Sequence, residues 1–261
     1  MIRIQNYVKA ESLEEAYRLN QNRRNRILGG MLWLKLSGIT VPTAIDLSAL
    51  GLNEIEETEE EFSIGAMATL RQLELHEGLN AYAQGAVAKA VHDIVGVQFR
   101  NMATVGGSIF GRFGFSDVLT VFLAMDTHVE LYKRGIVSLE EFVGMEKDRD
   151  ILVRIIVKKR PGRFAYQAMR NQRTDFPVLT CAVSELEGEY RAVIGARPAR
   201  ARILRDEQGL LAGGVNEERA KAFADFAADT LPTGGNVRGT AAYRTHLIRV
   251  LTRRALLELE G

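Results

Sequence analysis

The stretch Arg100-Asn101-Met102-Ala103-Thr104-Val105-Gly106-Gly107-Ser108-Ile109 places two adjacent glycines behind an apolar residue and ahead of a serine. We interpret it as the end of a strand that runs into a tight backbone turn. Because glycine has no Cβ and tolerates positive φ, such a turn lets another backbone or a ligand approach closely. Successive N–H groups in a turn form a concavity suited to an anion such as a phosphate. A hairpin turn around a buried glycine is the alternative interpretation.

A second glycine pair stands earlier in the chain, in Ile27-Leu28-Gly29-Gly30-Met31-Leu32. It again follows an apolar pair typical of a strand. An amphipathic helix precedes it, with Ser12 as the N-cap and Glu15 in the capping-box position. Two such turns in one chain favour a shared binding role over two unrelated hairpins.

Taken together, the two stretches resemble the flavoprotein subunit of the molybdenum hydroxylases, the xanthine dehydrogenase and carbon monoxide dehydrogenase family. That family has an A-G-G-T-like loop near its N-terminus and a later I-R-N-x-A-T-V-G-G-N segment. The corresponding residues here are 28–31 and 99–108. The likeness continues in order along nearly the whole chain, at Ser63–Ala66, Ser116-Asp117, Val129–Leu131, Leu139–Phe142 and Arg238–Arg244.

The resemblance implies an α+β fold in two domains. Residues 1–158 would form an FAD-binding domain of the PCMH, or vanillyl-alcohol oxidase-like, type, itself made of two α+β parts at about 1–50 and 51–158. Residues 162–261 would form the family's C-terminal domain, a small antiparallel sheet with helices. The boundary is expected at Arg160-Pro161-Gly162.

The resemblance also implies a site for FAD. The two glycine stretches would surround the pyrophosphate and ribityl region, mainly through backbone N–H groups. Ser116 and Asp117 would bond ribityl hydroxyls, and an apolar pair at 151–152 would pack near the isoalloxazine. The cofactor-binding residues expected are Leu28, Gly29, Gly30, Met31, Leu32, Thr104, Gly106, Gly107, Ser108, Ser116, Asp117, Ile151 and Leu152.

The function implied is electron transfer in an FAD-dependent oxidoreductase. A molybdenum-cofactor subunit would hydroxylate a substrate, an iron–sulfur subunit with 2Fe–2S clusters would carry the electrons, and FAD on this chain would pass them to an acceptor such as NAD. Two alternatives remain open: a free-standing FAD-dependent reductase, and a structural subunit that has lost FAD. Departures from the family pattern at Met31, Ser108 and Ala168 favour weaker or lost binding.

Composition excludes several other classes of protein. The 261 residues include 34 basic and 33 acidic side chains, so there is no strongly basic field to hold nucleic acid. No apolar run of about 18 residues is present to span a membrane. The N-terminus lacks the basic-then-apolar pattern of a signal peptide, so we expect a cytoplasmic protein.

Protein-borne catalysts are scarce in this sequence. The single cysteine, Cys181, lies in an apolar run and is expected to be a buried thiol. One cysteine cannot hold an iron–sulfur cluster, so any cluster must belong to another chain. The four histidines have no metal-ligand spacing. There is no G-x-G-x-x-G, P-loop or G-x-S-x-G motif. We therefore expect no metal site and no catalytic side chain, with the chemistry carried by a cofactor.

Other segments are predicted from local pattern. Residues 54–61 are acidic and predict a solvated loop, and Trp33 is expected in the core. Helices are predicted over 69–77 and 81–94, broken at Gly78. Ser116 should cap the helix that follows it.

In the C-terminal part, the arginines between 197 and 205 are expected to form a solvated face or a partner contact. The other predicted elements are strands at 163–169, 178–183 and 190–194, and helices at 216–229 and 240–258.

Overall fold

A computed structural model describes residues 1–260. The strands, in chain order, are β1 Arg3–Lys9, β2 Arg26–Leu28, β3 Thr40–Asp46, β4 Ile55–Glu57, β5 Glu61–Gly65, β6 Thr127–Leu131, β7 Gly135–Ser138, β8 Leu152–Lys158, β9 Gly162–Arg170, β10 Pro177–Leu186, β11 Glu189–Gly195 and β12 Arg202–Arg205. The α-helices are α1 Leu13–Asn20, α2 Leu70–Leu75, α3 Glu77–Tyr82, α4 Ala86–His92, α5 Val97–Arg100, α6 Val105–Phe110, α7 Asp117–Leu123, α8 Leu139–Gly144, α9 Glu217–Thr230 and α10 Ala241–Glu258. This mixture of helices and mainly segregated sheets confirms the predicted α+β class.

The chain divides into two compact units that interleave in sequence. The first contains residues 1–72, 97–111 and 127–157, and the second contains 73–96, 112–126 and the chain from 158 onward. Each unit therefore combines segments that are distant in sequence.

A parallel three-stranded sheet of order β1-β3-β2 begins the first unit. Helix α1 starts where predicted, because the Ser12 side chain accepts from the Glu15 N–H at 3.1 Å. Its buried Ala16 joins Ile45 and Leu47 of the β3 end in one apolar cluster, which also includes Ile151 and Val153. This cluster ties the end of β3 to the beginning of β8.

A second sheet in this unit has the order β4-β5-β8-β6-β7. Strands β6 and β7 form a hairpin, in which Gly135 at the start of β7 has φ +77°. The acidic run 54–61, predicted to be a loop, instead contains edge strand β4 and the first residue of β5. Edge strands tolerate charged side chains because those side chains point to solvent while the backbone pairs on one side only.

The second unit is built on an antiparallel sheet of order β12-β11-β10-β9. Side chains of β10 alternate between two environments, as the two-residue period of a strand requires. Cys181 and Val183 pack with α9 and α10 in an apolar cluster. The side chains at the alternate positions lie on the opposite face. There the Thr180 hydroxyl lies 3.0 Å from the Thr120 hydroxyl of α7, and the Ser184 hydroxyl donates to the carbonyl of Ala124. Both faces of β10 are therefore covered.

Several predicted helices and caps are confirmed in this unit. Ser116 caps α7, Asn216 caps α9 and Thr240 caps α10. Each side chain accepts a hydrogen bond from the backbone N–H three residues later. The predicted break at Gly78 is displaced by two residues: α2 ends at Leu75, and His76 caps α3, which contains Gly78. The chain breaks again at Gln84 and Gly85, which have φ of +45° and +78°.

In the arginine-rich segment after β11, Arg200, Arg202 and Arg205 are exposed, as expected of a solvated face, and Arg197 is the exception. Residues 202–205 form edge strand β12, paired with β11. Arg197 is buried, and its guanidinium donates to the carbonyls of Arg200 and Pro232 at 3.0 and 2.6 Å. Its charge is stabilised by backbone oxygens rather than by water.

Two predictions about the glycine regions are also wrong. Residues before and within the second glycine pair are helical, in α5 and α6, rather than a strand entering a turn. Trp33, expected in the core, has 55% of its surface exposed. It follows a loop with little apolar cover and packs edge-on against Phe99, with ring centroids 6.4 Å apart.

Candidate functional site

A cavity of about 250 Å³ in the first unit brings the two glycine stretches together. It is also lined by the beginning of β8 and by the turn after β5. Of the residues predicted to bind the cofactor, seven line it: Leu28, Gly29, Thr104, Gly106, Gly107, Ile151 and Leu152. Residues from four separate segments of the sequence therefore form one site.

The first glycine pair lies directly against the segment before α6. A Cβ on Gly29 would come within 2.8 Å of the Thr104 Oγ1, and a Cβ on Gly30 within 1.9 Å of the Met102 carbonyl oxygen. No side chain fits at the second of these positions without moving backbone. Gly30 is thus needed for the two segments to approach each other.

The second glycine pair occupies the first turn of α6, where Thr104 is the N-cap and accepts from the Gly107 N–H at 3.1 Å. The Val105 and Gly106 N–H groups donate to the carbonyls of Ala68 and Ala66, both at 2.8 Å. The N–H groups expected to form an anion-binding concavity here are therefore already used within the protein. Neither glycine has positive φ.

What the second pair contributes to the cavity is a surface without side chains. A Cβ on Gly106 would meet the Ala66 carbonyl oxygen at 2.6 Å, so this glycine is required by packing. A Cβ on Gly107 would meet only the Thr104 Oγ1, at 3.0 Å. Gly107 therefore borders open space in the cavity, which a larger side chain would fill.

The first glycine turn differs in its hydrogen bonds. Among residues 1–260, no acceptor receives the N–H groups of Gly30, Met31 or Leu32. Met31 stands at φ +57°, in the left-handed region that most L-residues avoid. Consecutive N–H groups beside a left-handed residue form the kind of concavity that binds anions. The donors expected at the second turn are thus present at the first.

Sequence analysis missed a polar network on the cavity wall. The Arg149 guanidinium donates to the Asn20 carbonyl at 2.6 Å, to the Asn20 Oδ1 at 2.7 Å and to the Asn25 carbonyl at 3.2 Å. Asn25 also accepts from the Thr43 N–H through its Oδ1. Burial, followed by the charges of Arg26 and Arg23, lowers the pKa of Arg149. No local motif marks these residues, because the partners are more than one hundred positions apart in the sequence.

An open cleft of about 980 Å³ shares part of this wall. Phe110, Asp148, Arg149 and Asp150 line both the cavity and the cleft. The Asp150 carboxylate is engaged by the N–H groups of Lys133, Arg134 and Ile151. The other residues lining the cleft are Tyr17, Gln21, Arg23, Lys133, Arg134 and Lys147, which give it a mainly basic wall.

The remaining predicted site residues lie elsewhere in the fold. Gly30, Met31 and Leu32 form the turn after the cavity-lining Gly29. Ser108 lies within α6, where its hydroxyl donates to the Thr104 carbonyl at 3.1 Å.

Ser116 and Asp117 belong to the second unit. The Asp117 carboxylate is buried and accepts from the Tyr166 hydroxyl and the Arg170 guanidinium, both at 2.5 Å and both on Oδ1. Burial raises the pKa of Asp117 to about 6, against the opposing effect of Arg170. Burial, with the adjacent Asp117, raises the pKa of Tyr166 well above its usual value.

No other cluster offers metal or nucleophile chemistry within the described part of the chain. In residues 1–260, no three His, Cys, Asp or Glu side chains converge so as to hold a metal ion. Cys181 is fully buried as predicted, and that burial raises the pKa of its thiol to about 12. Among the same residues, none of the helices combines the length and apolar character needed to cross a bilayer.

Comparison with known families matches both parts of the chain. Residues 2–159 match the family described as the FAD-binding domain in molybdopterin dehydrogenase. Residues 164–259 match the carbon monoxide dehydrogenase flavoprotein C-terminal domain.

Individual relatives cover the chain nearly end to end. A glyceraldehyde dehydrogenase medium chain from Sulfolobus acidocaldarius is 25% identical over 97% of each chain. The nicotine 6-hydroxylase medium subunit of Paenarthrobacter nicotinovorans is 26% identical over 97% of this chain and 96% of its own. Among solved structures, the carbon monoxide dehydrogenase of Hydrogenophaga pseudoflava superposes with a TM-score of 0.86 at 24% identity, over 99% of this chain and 97% of that one. This last likeness establishes the fold.

Proposed function

Since the chain belongs to the family of FAD-binding subunits of the molybdenum hydroxylases, whose members are oxidoreductases with FAD as cofactor, we propose that it is the electron-transfer subunit of such a complex. It would receive electrons from 2Fe–2S clusters on a partner subunit and deliver them, through FAD, to an acceptor such as NAD. The substrate hydroxylated by the complex is chosen on another chain.

The cavity of the first unit fits part of an FAD molecule, and the observation that carries this assignment is the open space at Gly107. A Cβ there would enter the cavity, with only the Thr104 hydroxyl nearby. The unpaired N–H groups of Gly30, Met31 and Leu32 suit the pyrophosphate, which is anionic. The apolar Ile151 and Leu152 supply a wall on which a flat ring could pack.

FAD, when bound here, would supply the redox chemistry, which is one-electron and hydride transfer. The side chains of this protein then bind and orient it. As the family resemblance implies, Asp117 would accept a hydrogen bond from a ribityl hydroxyl through Oδ2, because its Oδ1 accepts from Tyr166 and Arg170. Those two donors also fix the orientation of the carboxylate. No proton transfer by a side chain is required.

The decisive test is Gly107→Val in the full chain, followed by FAD titration through flavin fluorescence. The valine side chain would occupy the cavity beside the glycine turn and displace the cofactor, so we expect the affinity for FAD to fall by about tenfold or more, equivalent to about 1.4 kcal/mol or more. Folding should survive, because overpacking against a single movable hydroxyl costs on the order of 1 kcal/mol.

A matched control is Gly144→Val, at the end of α8. A Cβ there meets nothing within 4 Å, and Gly144 does not line the cavity. Circular dichroism should be unchanged in both proteins, and only Gly107→Val should lose FAD. Native affinity in a folded Gly107→Val protein would show that the cavity is not the FAD site.

The proposed partners are an iron–sulfur subunit and a molybdenum-cofactor subunit. The only cysteine of this chain is buried against Thr252, so it cannot ligate a cluster. Both relatives described above are medium components, in name, of multi-subunit dehydrogenases or hydroxylases. Gentle affinity purification from the native host should recover two further chains carrying iron and molybdenum. Repeated recovery of this chain alone, with bound FAD, would favour a free-standing reductase instead.

A further inference from the structure

A second cavity, of about 350 Å³, lies wholly within the second unit and shares no lining residue with the cavity of the first unit. Its volume is within the usual range for small-molecule sites. Four segments supply its walls: 114–115, 176–177, 196–199 and 236–238. We propose that this cavity binds a small planar aromatic carboxylate.

Two aromatic rings form part of the cavity wall. Phe115 and Phe176 line the cavity and meet edge to face, with centroids 4.7 Å apart and planes at 73°. Phe113 stacks on Phe115 from outside, at 5.2 Å and 12°. Phe115 nevertheless keeps 37% of its surface exposed, and Phe113 keeps 46%. Partly exposed rings in edge-to-face and stacked arrangements offer further faces and edges to an incoming flat ring.

A positively charged side chain, that of Arg238, also lines the cavity. The Arg238 guanidinium lies 4.9 Å over the Phe176 ring and is bonded to one carboxylate, that of Asp175, at 3.3 Å. Its Nε is buried with no hydrogen-bond partner among residues 1–260. A buried donor that lacks an acceptor is unfavourable, which favours a guanidinium that reorients toward an oxygen supplied by a ligand.

A second guanidinium, that of Arg244, does not line the cavity but lies behind its wall residue Asn236. Arg244 is almost fully buried and donates to the Asn236 Oδ1 at 2.7 Å, while its other bonds go to the carbonyls of Val178, Gly234 and Gly239. These acceptors are neutral, so its charge is not cancelled. With Asp175 as the single acid bonded to either arginine, the wall and the residues behind it carry a net positive charge. An anionic ligand is therefore preferred over a neutral one.

The remaining wall is held in a fixed, strained backbone conformation. Ala196 has a φ of +54°, which L-residues rarely adopt. The Ala196 N–H donates to the Gly114 carbonyl, and a Cβ on Gly114 would come within 2.2 Å of the Ala199 carbonyl oxygen. The two segments are thus packed backbone to backbone. Such strain is maintained mainly where it preorganises a site.

The test is calorimetric titration of the full chain with benzoate as the probe, and the inference does not rest on the FAD assignment. Benzamide has the same ring without the charge, and cyclohexanecarboxylate has the charge without the aromatic ring. We expect benzoate to bind, and we expect benzamide and cyclohexanecarboxylate each to bind at least about tenfold more weakly. Absence of benzoate binding to the native chain, or equal binding of all three, would overturn the proposal.

Arg238→Met should weaken benzoate binding by about tenfold or more. The matched control is Arg249→Met, which removes a guanidinium paired with Asp225 and Asp229 in the same unit but outside the cavity. Gly107→Val should keep native benzoate affinity, since Gly107 lines only the first cavity, and loss of binding there would place benzoate in the FAD cavity instead. If Arg238→Met does not fold, nuclear magnetic resonance on the native chain replaces it. The ¹⁵N signal of the Arg238 Nε–H is identified by its absence from the spectrum of Arg238→Lys. We expect this signal to shift when benzoate is added. An unmoved signal would refute the assignment.

Discussion

Gly29-Gly30 and Gly106-Gly107 are the same dipeptide beside the same cavity, but the missing side chains matter for different reasons. In the first pair, absent Cβ atoms allow a loop to lie against the backbone of Met102 and Ala103 and the side chain of Thr104. In the second pair, Gly106 allows α6 to approach the Ala66 carbonyl, while Gly107 leaves cavity space empty. The N–H groups following the first pair are unpaired within residues 1–260, whereas those of the second are satisfied.

The difference shows that a Gly-Gly pair predicts close approach but not what approaches. At Gly30 a Cβ would lie 1.9 Å from a carbonyl oxygen, which indicates that protein packing requires the glycine. At Gly107 a Cβ would lie beside open space, which indicates room for a ligand. We therefore expect substitutions in the first pair to act mainly on stability, and substitution of Gly107 to act mainly on FAD affinity.

Gly30→Ala should produce the largest loss of stability. Its methyl group would overlap the Met102 carbonyl oxygen, so backbone would have to move, at a cost toward the upper end of the roughly 1–3 kcal/mol typical of overpacking. Urea unfolding measures the loss. Gly38→Ala, in the same region but with nothing within 4 Å of its Cβ, should leave the midpoint nearly unchanged. Equal midpoints for the two variants would contradict the packing role of Gly30.

Thr104→Ala should have an intermediate effect, because it removes the N-cap acceptor of the Gly107 N–H. The expected loss is about 1 kcal/mol in the free energy of unfolding. Thr104→Ser keeps an oxygen at the same position and should retain most of this stability. If serine were as destabilising as alanine, the contribution would come from the Thr104 methyl group and not from the cap.

Met31→Gly should have the smallest effect and the opposite sign. Glycine relieves the left-handed strain at φ +57°, worth roughly 1–2 kcal/mol, but gains conformational entropy in the unfolded chain, which costs about 0.5–1 kcal/mol. These two backbone effects leave a gain of about 0–1.5 kcal/mol, which the lost packing of Met31 against Leu28, Val41 and Ala44 reduces further, so the expected result is a small rise in melting temperature. Leu32→Gly, at a residue without positive φ, should lower stability, and a parallel rise in both variants would contradict the strain at Met31.

Local pattern was sufficient to predict much of this fold. The caps at Ser12 and Ser116 were predictable because an N-cap side chain and the N–H that donates to it lie within one turn of chain, and the helix starts near Asn216 and Thr240 were predicted as well. The β6–β7 hairpin and strands β9 to β11 were likewise predictable from short runs and turn residues. The ordered set of motifs along the chain also indicated the family, and with it FAD.

The tertiary structure alone decided how these motifs are used. Whether an N–H is free for a ligand depends on which carbonyl lies opposite it, and for Gly106 that carbonyl belongs to Ala66, on another segment. The Arg149 network joins residues 129 positions apart, and Asp117 is held by Tyr166 and Arg170, 49 and 53 positions away. Trp33 stays more than half exposed because the distant segment that meets its loop, at Phe99, covers the ring only in part. Sequence determines what a residue can offer, such as a donor, a charge or a missing Cβ, because these belong to the residue itself. Which of them remain available for binding is fixed only when distant segments meet and compete for the same partners.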